Sequence, residues 1–366
     1  MDIHRRGFLG GASAAAAAAM MHGAAPASAA VQRLAAGGRW TQSFRPPLGL
    51  GLGGVPLAGG FKPTSNADAQ AALEAAWNAG VRYFDTSPQY AFGRSERRMG
   101  QFLSEKPRGD YILSTKVGRI FEAGTPKNTP VWPSPPPFKA RYDFSAAGVR
   151  RSIEDSLQRL GVDRIDMVFI HDLSPDNADM GERWTEYFEQ ARVGAMPELI
   201  RMREEGLIRG WGLGVNRIDP LLQTLKVSDP DIFLSATQYS LIRHTESLQR
   251  LQPACLERGV PLIIGSPLNV GFLSGADRID YLGTITPDLE ARRRRIAAIA
   301  RAHGTDMRTT ALRFASAPRS VAAVLVGARN GRQMAEDAAS MRAKLPADLW
   351  AELKAERLIP ADAPTP

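Results

Sequence analysis

VRYFDTSPQYAFGRSERRMGQFLSEKPRGDYILSTKVG, residues 81–118, contains one complete strand–helix–strand unit. The apolar runs VRYFDTS (81–87) and YILSTKVG (111–118) each predict a strand, and SERRMGQFLS (95–104) between them predicts a helix. Both runs are continuously apolar rather than alternating, which is typical of strands buried on both faces. A helix that joins two such strands predicts a right-handed crossover and a parallel sheet.

The same alternation of strands and helices continues before and after this unit. LGLGLGGVPLAGG (48–60) predicts a glycine-rich first strand and turn, and NADAQAALEAAWNAG (66–80) predicts a helix that begins at an N-cap and ends on glycine. Further apolar runs predict strands at 165–172, 208–215, 233–240, 261–266 and 322–327. Eight strand–helix units predict a closed (β/α)8 TIM barrel over residues 31–366. A doubly wound sheet is the alternative, which is disfavoured because no G-x-G-x-x-G turn joins a strand to a helix.

The composition is that of a globular protein with a large core, since 44% of the residues are hydrophobic and 23% are charged. The chain of 366 residues carries a net charge of +8, but its arginines are scattered and the one dense run, Arg292–Arg295, lies on a predicted helix. A solvent-facing helix surface explains that run, so no nucleic-acid partner is predicted. The single cysteine, Cys255, excludes an internal disulfide and fits a core position.

Residues 1–30 differ in composition from the rest of the chain. Arg5 and Arg6 precede a mildly apolar Ala/Gly run, and residues 27–29 (ASA) form an A-x-A cleavage site. This order is similar to a bacterial twin-arginine signal peptide, and it predicts the twin-arginine export machinery as a partner and the periplasm as the destination. The run is too short and too weakly apolar to predict stable insertion in a membrane. The alternative is an alanine-rich start that is never removed, in a cytoplasmic protein.

Polar side chains close three consecutive predicted strands. Asp85 ends the second strand, and Tyr90 lies in the loop that follows it. Lys116 lies near the end of the third strand, and His171 ends the fourth. Taken singly, each residue has a structural explanation, such as a turn, rim packing or a lysine that reaches solvent. Because the carboxyl ends of barrel strands meet at one mouth, the four together predict a catalytic group.

The chemistry that suits these groups is proton transfer to and from a carbonyl oxygen. Tyr90 is the expected general acid and base, because an adjacent ammonium on Lys116 stabilises the phenolate and lowers the phenol pKa from about 10. Asp85 is expected to hold Lys116 through an ion pair, and His171 to hydrogen-bond the substrate oxygen. None of these groups performs redox chemistry, so a hydride carrier is required.

With these residues in place, the chain after the leader resembles the aldo-keto reductase superfamily. DTSPQY (85–90) matches the family pattern D-x-x-x-x-Y, and GRSERRMG (93–100), STKVGR (114–119) and IHD (170–172) are similar to other family motifs. The resemblance implies a barrel oxidoreductase in which the four polar residues above form the catalytic group. Within the superfamily the chain is similar to the D-threo-aldose 1-dehydrogenase group, which oxidises sugars such as L-fucose, and to its neighbour pyridoxal 4-dehydrogenase.

The resemblance also implies NAD or NADP, bound across the mouth without a Rossmann domain, and no metal. Asn216 and Gln238 lie where the family holds the nicotinamide carboxamide, and their amides supply both donors and acceptors. A polar cap closing two strands is the structural alternative for this pair. Ser266 belongs to the neighbouring S-P-L motif. Many members have a tyrosine just before that motif, stacked on the nicotinamide, where this chain has Gly265.

The turn after the eighth strand corresponds to the family's site for the adenosine half of the dinucleotide, because its backbone amides can cradle a phosphate before the next helix. The candidate contacts at this end are Gly327, Arg329, Gln333, Glu336 and Asp337. Members that use NADP often place a lysine, a serine and an arginine where this chain has Gly327, Ala328 and Gln333. Arg329 and Arg332 remain, but the loss of the bidentate arginine favours NAD.

Two loops too long for simple connectors, at 119–144 and 173–193, are expected to shape the substrate pocket. Trp132 and Tyr142 in the first loop, and Asn269 after the seventh strand, are the candidate substrate residues. The likeness to the aldose group implies a small polar aldose or aldehyde as substrate. Two alternatives stay open: a cofactor-binding regulatory barrel without turnover, and a metal-dependent hydrolase, which the absence of an H-x-H pair disfavours.

Overall fold

The computed structural model describes residues 40–126 and 129–366, and the predicted signal peptide at 1–30 lies outside them. Ten strands occur in the described residues: Leu50–Gly53 (β1), Tyr83–Asp85 (β2), Ile112–Val117 (β3), Arg119–Ala123 (β4), Phe138–Tyr142 (β5), Met167–His171 (β6), Gly210–Val215 (β7), Phe233–Ala236 (β8), Leu262–Gly265 (β9) and Val321–Val326 (β10). Eleven α-helices occur in the same part of the chain: Asn66–Asn78 (α1), Arg94–Leu103 (α2), Ala146–Leu160 (α3), Trp184–Val193 (α4), Ala195–Glu204 (α5), Ile218–Val227 (α6), Gln252–Arg258 (α7), Pro287–Ala302 (α8), Met307–Ala315 (α9), Gly331–Arg342 (α10) and Ala347–Ala355 (α11). None of these helices combines the length and the apolar character needed to cross a membrane.

Eight of the strands form one closed parallel barrel, in the order β1, β2, β3, β6, β7, β8, β9, β10 and back to β1. Each predicted strand corresponds to one barrel strand, so the predicted (β/α)8 fold is confirmed. Several runs are shorter as strands than as sequence patterns. The run 233–240, for example, ends as a strand at Ala236 because the chain then turns into the loops at the mouth.

Side chains of β2 point alternately into the barrel and out towards the helices, and each side packs into its own hydrophobic core. Phe84 packs outward against Trp77 and Phe102 of the helices, whereas Tyr83 packs inside the barrel. Because side chains alternate along a strand, Asp85 lies on the same side as Tyr83. The inward-facing rows of β2, β3 and β6 therefore end on polar residues at the mouth.

A glycine of the first strand makes room for an aromatic ring inside the barrel. A Cβ at Gly51 would lie 2.3 Å from Cδ1 of Tyr83, so no larger residue fits there without moving the ring. The Tyr83 ring also meets Phe44 edge-on, with centroids 5.4 Å apart. The glycine at position 51 of the first strand is thus explained by the volume of Tyr83.

The two long loops contain secondary structure that the sequence did not show. β4 and β5 pair as an antiparallel hairpin within residues 119–144, and the prolines between them obscured the strand pattern. Helix α4 begins at Trp184, within residues 173–193. Its first turn has no side-chain N-cap, so its start carried no sequence signal.

Candidate active site

The mouth of the barrel opens on one large cavity of about 840 Å³. The sequence-predicted residues that line it are Asp85, Tyr90, Lys116, Trp132, Tyr142, His171, Asn216, Gln238, Ser266, Gly327, Arg329, Gln333 and Asp337. Asn269 and Glu336 are the two predicted residues that do not line this cavity. A single cavity therefore joins the predicted catalytic group to the turn after β10.

Lys116 and Asp85 form a fully buried ion pair. Nζ of Lys116 donates to Oδ1 and Oδ2 of Asp85 at 2.9 and 2.7 Å, and to the backbone oxygen of Thr86 at 2.8 Å. Ser114, two residues before Lys116 on β3, donates to Oδ1 of Asp85 at 2.6 Å. Burial raises the pKa of Asp85 and lowers the pKa of Lys116, and their mutual attraction opposes both shifts. All three ammonium protons are thus used within the protein.

Tyr90 lies between Lys116 and His171. Nζ of Lys116 is 4.8 Å from the centre of the Tyr90 ring, and the imidazole of His171 meets that ring edge-on at 5.7 Å between centroids. Burial raises the pKa of the Tyr90 phenol well above its ordinary value, and the charge of Asp85 raises it further. The prediction of a lowered phenol pKa was wrong, because desolvation of the phenolate comes first and the charge of Asp85 acts in the same direction. Tyr90 is therefore a protonated phenol at neutral pH.

His171 is a neutral imidazole oriented by Ser87. Oγ of Ser87 lies 3.2 Å from Nδ1 of His171 and accepts the backbone N–H of Gln89 at 3.1 Å. The Ser87 hydroxyl can donate its proton to Nδ1, and this arrangement is compatible with the ring proton on Nε2. Burial lowers the pKa of His171 well below its ordinary value, and the positive charges of Lys116 and Arg119 lower it further. The neutral ring can donate a hydrogen bond from Nε2 to a substrate oxygen.

Sequence reasoning missed a polar network beside His171. Asp172 has a left-handed backbone conformation, with φ of 49°, and its Oδ1 lies 3.4 Å from Nε2 of His171. Oδ2 of Asp172 lies 3.1 Å from Nη1 of Arg119. Nη2 of Arg119 and Nδ2 of Asn177 donate to the hydroxyl oxygen of Tyr142, at 3.3 and 2.7 Å. Arg119 and Asp172 are the last residues of the motifs STKVGR and IHD. Their place in these motifs was the sequence feature that could have identified them.

The two amides predicted for the nicotinamide lie just after β7 and at the turn after β8. Nδ2 of Asn216 donates to Oδ2 of Asp176 at 3.1 Å. Nε2 of Gln238 donates to Oγ1 of Thr237 at 3.2 Å. Both side chains line the cavity, and each retains an amide oxygen and a second N–H for a ligand. This donor and acceptor set is complementary to a carboxamide.

Two aromatic rings line the cavity wall near Gly265. The hydroxyl of Tyr281 lies 3.5 Å from Oγ of Ser266, and its ring stacks on Phe61 with centroids 6.3 Å apart. Phe61 lies in the loop after β1, and Tyr281 in the loop after β9. The sequence did not single out either ring, because both lie in loops without a periodic pattern.

Arg329 anchors the loop that follows β1. Its Nη2 donates to the backbone oxygen of Gly60 at 2.8 Å, and its Nη1 donates to that of Lys62 at 2.7 Å. Nη1 also lies 3.1 Å from Oγ1 of Thr64, and the backbone N–H of Arg329 donates to Oε1 of Gln333 at 2.9 Å. The guanidinium is therefore engaged by the protein and does not stand free for a phosphate.

Two further arginines near the turn pair with carboxylates. Glu336 accepts from Arg308 at 2.5 Å and from Arg332 at 2.9 Å. It lies outside the cavity, although it was predicted to contact adenine there. Asp337 does line the cavity, and its Oδ1 is 3.8 Å from Nε of Arg308. Burial raises the pKa of Asp337 to about 7.

The three predicted substrate residues divide between the cavity and the core. Trp132 and Tyr142 line the cavity, and the ring of Trp132 lies 6.1 Å from that of Tyr90. Asn269 is fully buried under the loop after β9, where its Nδ2 donates to Oδ1 of Asp280 at 2.8 Å. Its position under the loop makes Asn269 a structural residue and corrects its assignment to the substrate pocket.

The residues present fit a nicotinamide dinucleotide. One cavity joins a pair of neutral amides to a turn at the start of α10, as an extended ligand requires. Oε1 of Gln89, on the cavity wall, is buried and has no hydrogen-bond partner among the described residues, which indicates room for a ligand donor. In residues 40–126 and 129–366, no cluster of His, Cys, Asp and Glu is suited to a metal ion.

The aldo/keto reductase family profile matches residues 49–357. The chain belongs to the aldo/keto reductase family. It is 35% identical over 323 residues to a D-threo-aldose 1-dehydrogenase of a Pseudomonas species, an alignment that covers 85% of this chain and 94% of that protein. A pyridoxal 4-dehydrogenase of Microbacterium luteolum is also 35% identical, over 327 residues, with the same coverage of both chains.

A solved aldo-keto reductase of Bacillus halodurans, in its holo form, has the same fold, with a TM-score of 0.66 at 24% identity. The match covers 86% of this chain and 93% of that chain. Members of the family are oxidoreductases that use NAD(P)H. The resemblance inferred from the sequence motifs is thereby confirmed at the level of the family.

Proposed function

We propose that this aldo-keto reductase transfers a hydride between a nicotinamide dinucleotide and an aldose or small polar aldehyde, with Tyr90 as general acid and base. The observation that carries the proposal is the convergence of Tyr90, the neutral His171 and the buried Lys116–Asp85 pair at one end of the cavity. The dinucleotide supplies the hydride in reduction and accepts it in oxidation.

In reduction, the N–H of His171 at Nε2 holds the carbonyl oxygen and the Tyr90 phenol protonates it. The phenolate that remains is stabilised by the ammonium of Lys116, which Asp85 holds beside the ring. In oxidation, the phenolate removes the proton of the substrate hydroxyl. Because the pKa of Tyr90 is raised, we expect oxidation to accelerate towards alkaline pH.

We propose NAD as the preferred dinucleotide. A 2′-phosphate needs free cationic partners, and the guanidinium of Arg329 is already bonded to loop carbonyls. Arg308 and Arg332 both pair with Glu336. The carboxyl group of Asp337, which lines the cavity, can accept a ribose hydroxyl and opposes a phosphate when it is ionised.

The choice of an aldose rests on the two relatives at 35% identity and on the polar wall beside His171. Both relatives act, by their names, on polar aldehydes or sugars. Export to the periplasm stays a proposal carried by Arg5, Arg6 and the A-x-A site at 27–29. The N-terminal sequence of the chain recovered from the periplasm tests it, and recovery of the uncleaved chain from the cytoplasm alone contradicts it.

The test of the proposed function is the initial rate of NADH or NADPH formation with L-fucose, D-arabinose and pyridoxal, for the full chain and for Tyr90→Phe. We expect Tyr90→Phe to lose about 10²- to 10⁴-fold in kcat while it still binds the dinucleotide, because the proton carrier is removed. Tyr111→Phe, in the outer core, is the matched control and keeps its rate. A wild-type protein that binds a dinucleotide but turns over none of these substrates would be the regulatory barrel instead.

A further inference from the structure

The polar network beside His171 has no part in hydride or proton transfer, yet it lines the same cavity. The hydroxyl oxygen of Tyr142 accepts hydrogen bonds from Arg119 and from Asn177. The atoms that face this oxygen, Nη2 of Arg119 and Nδ2 of Asn177, both donate to it, so neither atom accepts the phenolic proton of Tyr142. That proton has no acceptor among the described residues and is available to a ligand oxygen.

Arg119 also retains donor capacity. Its side chain is 9% exposed, and its Nη1 lies 3.1 Å from Oδ2 of Asp172. Nη1 and the carboxylate form an ion pair, but the N–H is poorly aligned with Oδ2. A guanidinium N–H that is poorly aligned with its own partner can also bond to a ligand oxygen at the cavity wall.

Asp172 supplies the complementary acceptor. Its carboxylate lines the cavity, 27% exposed, and its Oδ1 lies 3.4 Å from Nε2 of His171. An ionised carboxylate only accepts hydrogen bonds, and it can take two hydroxyl donors at once. Since the proposed function places the reacting oxygen at Nε2 of His171, a hydroxyl on the neighbouring carbon would come within reach of Asp172.

We propose that Asp172, Arg119 and Tyr142 form a hydroxyl subsite that selects substrates with hydroxyl groups next to the reacting carbonyl. The inference deepens the proposed function and rests on it. A hydroxyl group donates to Asp172 and accepts from Arg119 or Tyr142, so adjacent hydroxyls satisfy all three side chains. A substrate without hydroxyls excludes water from the same three side chains and leaves their hydrogen bonds unmade. Its kcat/KM should therefore be much lower.

D-Glyceraldehyde and propanal are the probes, because they share a carbon skeleton and differ only in two adjacent hydroxyls. The readout is the ratio of their kcat/KM values in reduction with NADH and NADPH. Tyr142→Phe removes one hydroxyl, and Asp172→Asn replaces one carboxylate oxygen by a donor while tolerating the left-handed backbone. We expect each variant to lower the ratio about 3- to 10-fold, as the loss of one hydrogen bond implies.

Tyr187→Phe is the matched control, since its ring lies 5.2 Å from that of Tyr142 but does not line the cavity. It is expected to leave the ratio unchanged. An equal loss for both aldehydes in Tyr142→Phe and Asp172→Asn would overturn the subsite, because the residues would then only position His171.

The failure of the proposed function gives a different result. A wild-type protein that reduces neither aldehyde with either dinucleotide contradicts the proposed function. In that case, calorimetric binding of L-fucose to wild type and to Tyr142→Phe decides the subsite. Weaker binding to the variant supports it, and equal binding overturns it.

Discussion

The two ends of the cavity are built in different ways. At the catalytic end, neighbouring barrel strands bring Asp85 and Lys116 together, and both side chains are almost fully buried. At the adenosine end, a turn and a helix supply the charges, and the side chain of Arg332 is 76% exposed where it pairs with Glu336. The barrel thus holds the buried ion pair in place, whereas the exposed pair lies on a helix outside the barrel.

The largest expected effect is the loss of a buried charge at the catalytic end. Lys116→Met leaves Asp85 buried without its cation, and we expect the free energy of unfolding to fall by about 3 to 5 kcal/mol. Urea denaturation at pH 7 measures this change in the free energy of unfolding. The double variant Asp85→Asn/Lys116→Met removes both charges and should recover most of the loss. A single variant that costs less than about 1 kcal/mol would show that the pair is not buried as described.

The next effect concerns the pH dependence of stability at the adenosine end. The pKa of Asp337 is about 7 in the folded protein, above its ordinary 3.8, so the folded state binds the proton more tightly. Stability from this group is therefore highest in acid and falls as the pH rises through about 4 to 7. Asp337→Asn removes the ionisable group, so the variant does not lose this stability as the pH rises. The free energy of unfolding of the variant, relative to that of wild type, should rise by about 2 to 3 kcal/mol between pH 5 and pH 8.

Glu336→Gln is the control for the sign of this effect. The guanidinium of Arg308 lowers the pKa of Glu336, so its contribution is present at neutral pH and lost in acid. The glutamine variant should lose stability relative to wild type as the pH rises from 4 to 7. Parallel pH curves for Asp337→Asn and wild type would contradict the raised pKa of Asp337.

A smaller effect is expected on dinucleotide choice. Asp337→Asn removes the carboxylate that opposes a 2′-phosphate, so the ratio of kcat/KM for NADP to that for NAD should rise about 10-fold, or about 1.4 kcal/mol. Initial rates with each dinucleotide at pH 8, where Asp337 is ionised in wild type, measure it. A ratio that stays constant would place the ribose away from Asp337.

The smallest effect on stability is expected for the exposed ion pair of Arg332 and Glu336. Arg332→Met breaks the ion pair with Glu336 in solvent and should cost less than about 1 kcal/mol in the free energy of unfolding. Urea denaturation alongside Lys116→Met places both variants on one scale. Equal losses in the two variants would remove the contrast between the ends of the cavity.

Most of the fold and much of the candidate site could be predicted from the sequence. Continuous apolar runs ended by polar residues predicted eight barrel strands, and the ends of three of them brought Asp85, Lys116 and His171 to one mouth. The hairpin of β4 and β5 was missed, because its prolines obscure the strand pattern. Asn269 was misplaced because sequence position alone does not show which way a loop residue turns.

By itself, the sequence determined the barrel, the family and the order of polar residues along the strands, because hydrophobic periodicity and motif spacing are local properties. The tertiary structure alone decided that Tyr90 has a raised pKa, that Arg329 is used by the β1 loop, and that Arg119 approaches Asp172. These outcomes depend on desolvation and on pairing between distant segments. A charge or a hydrogen bond is available to a ligand only where folding has not already paired it.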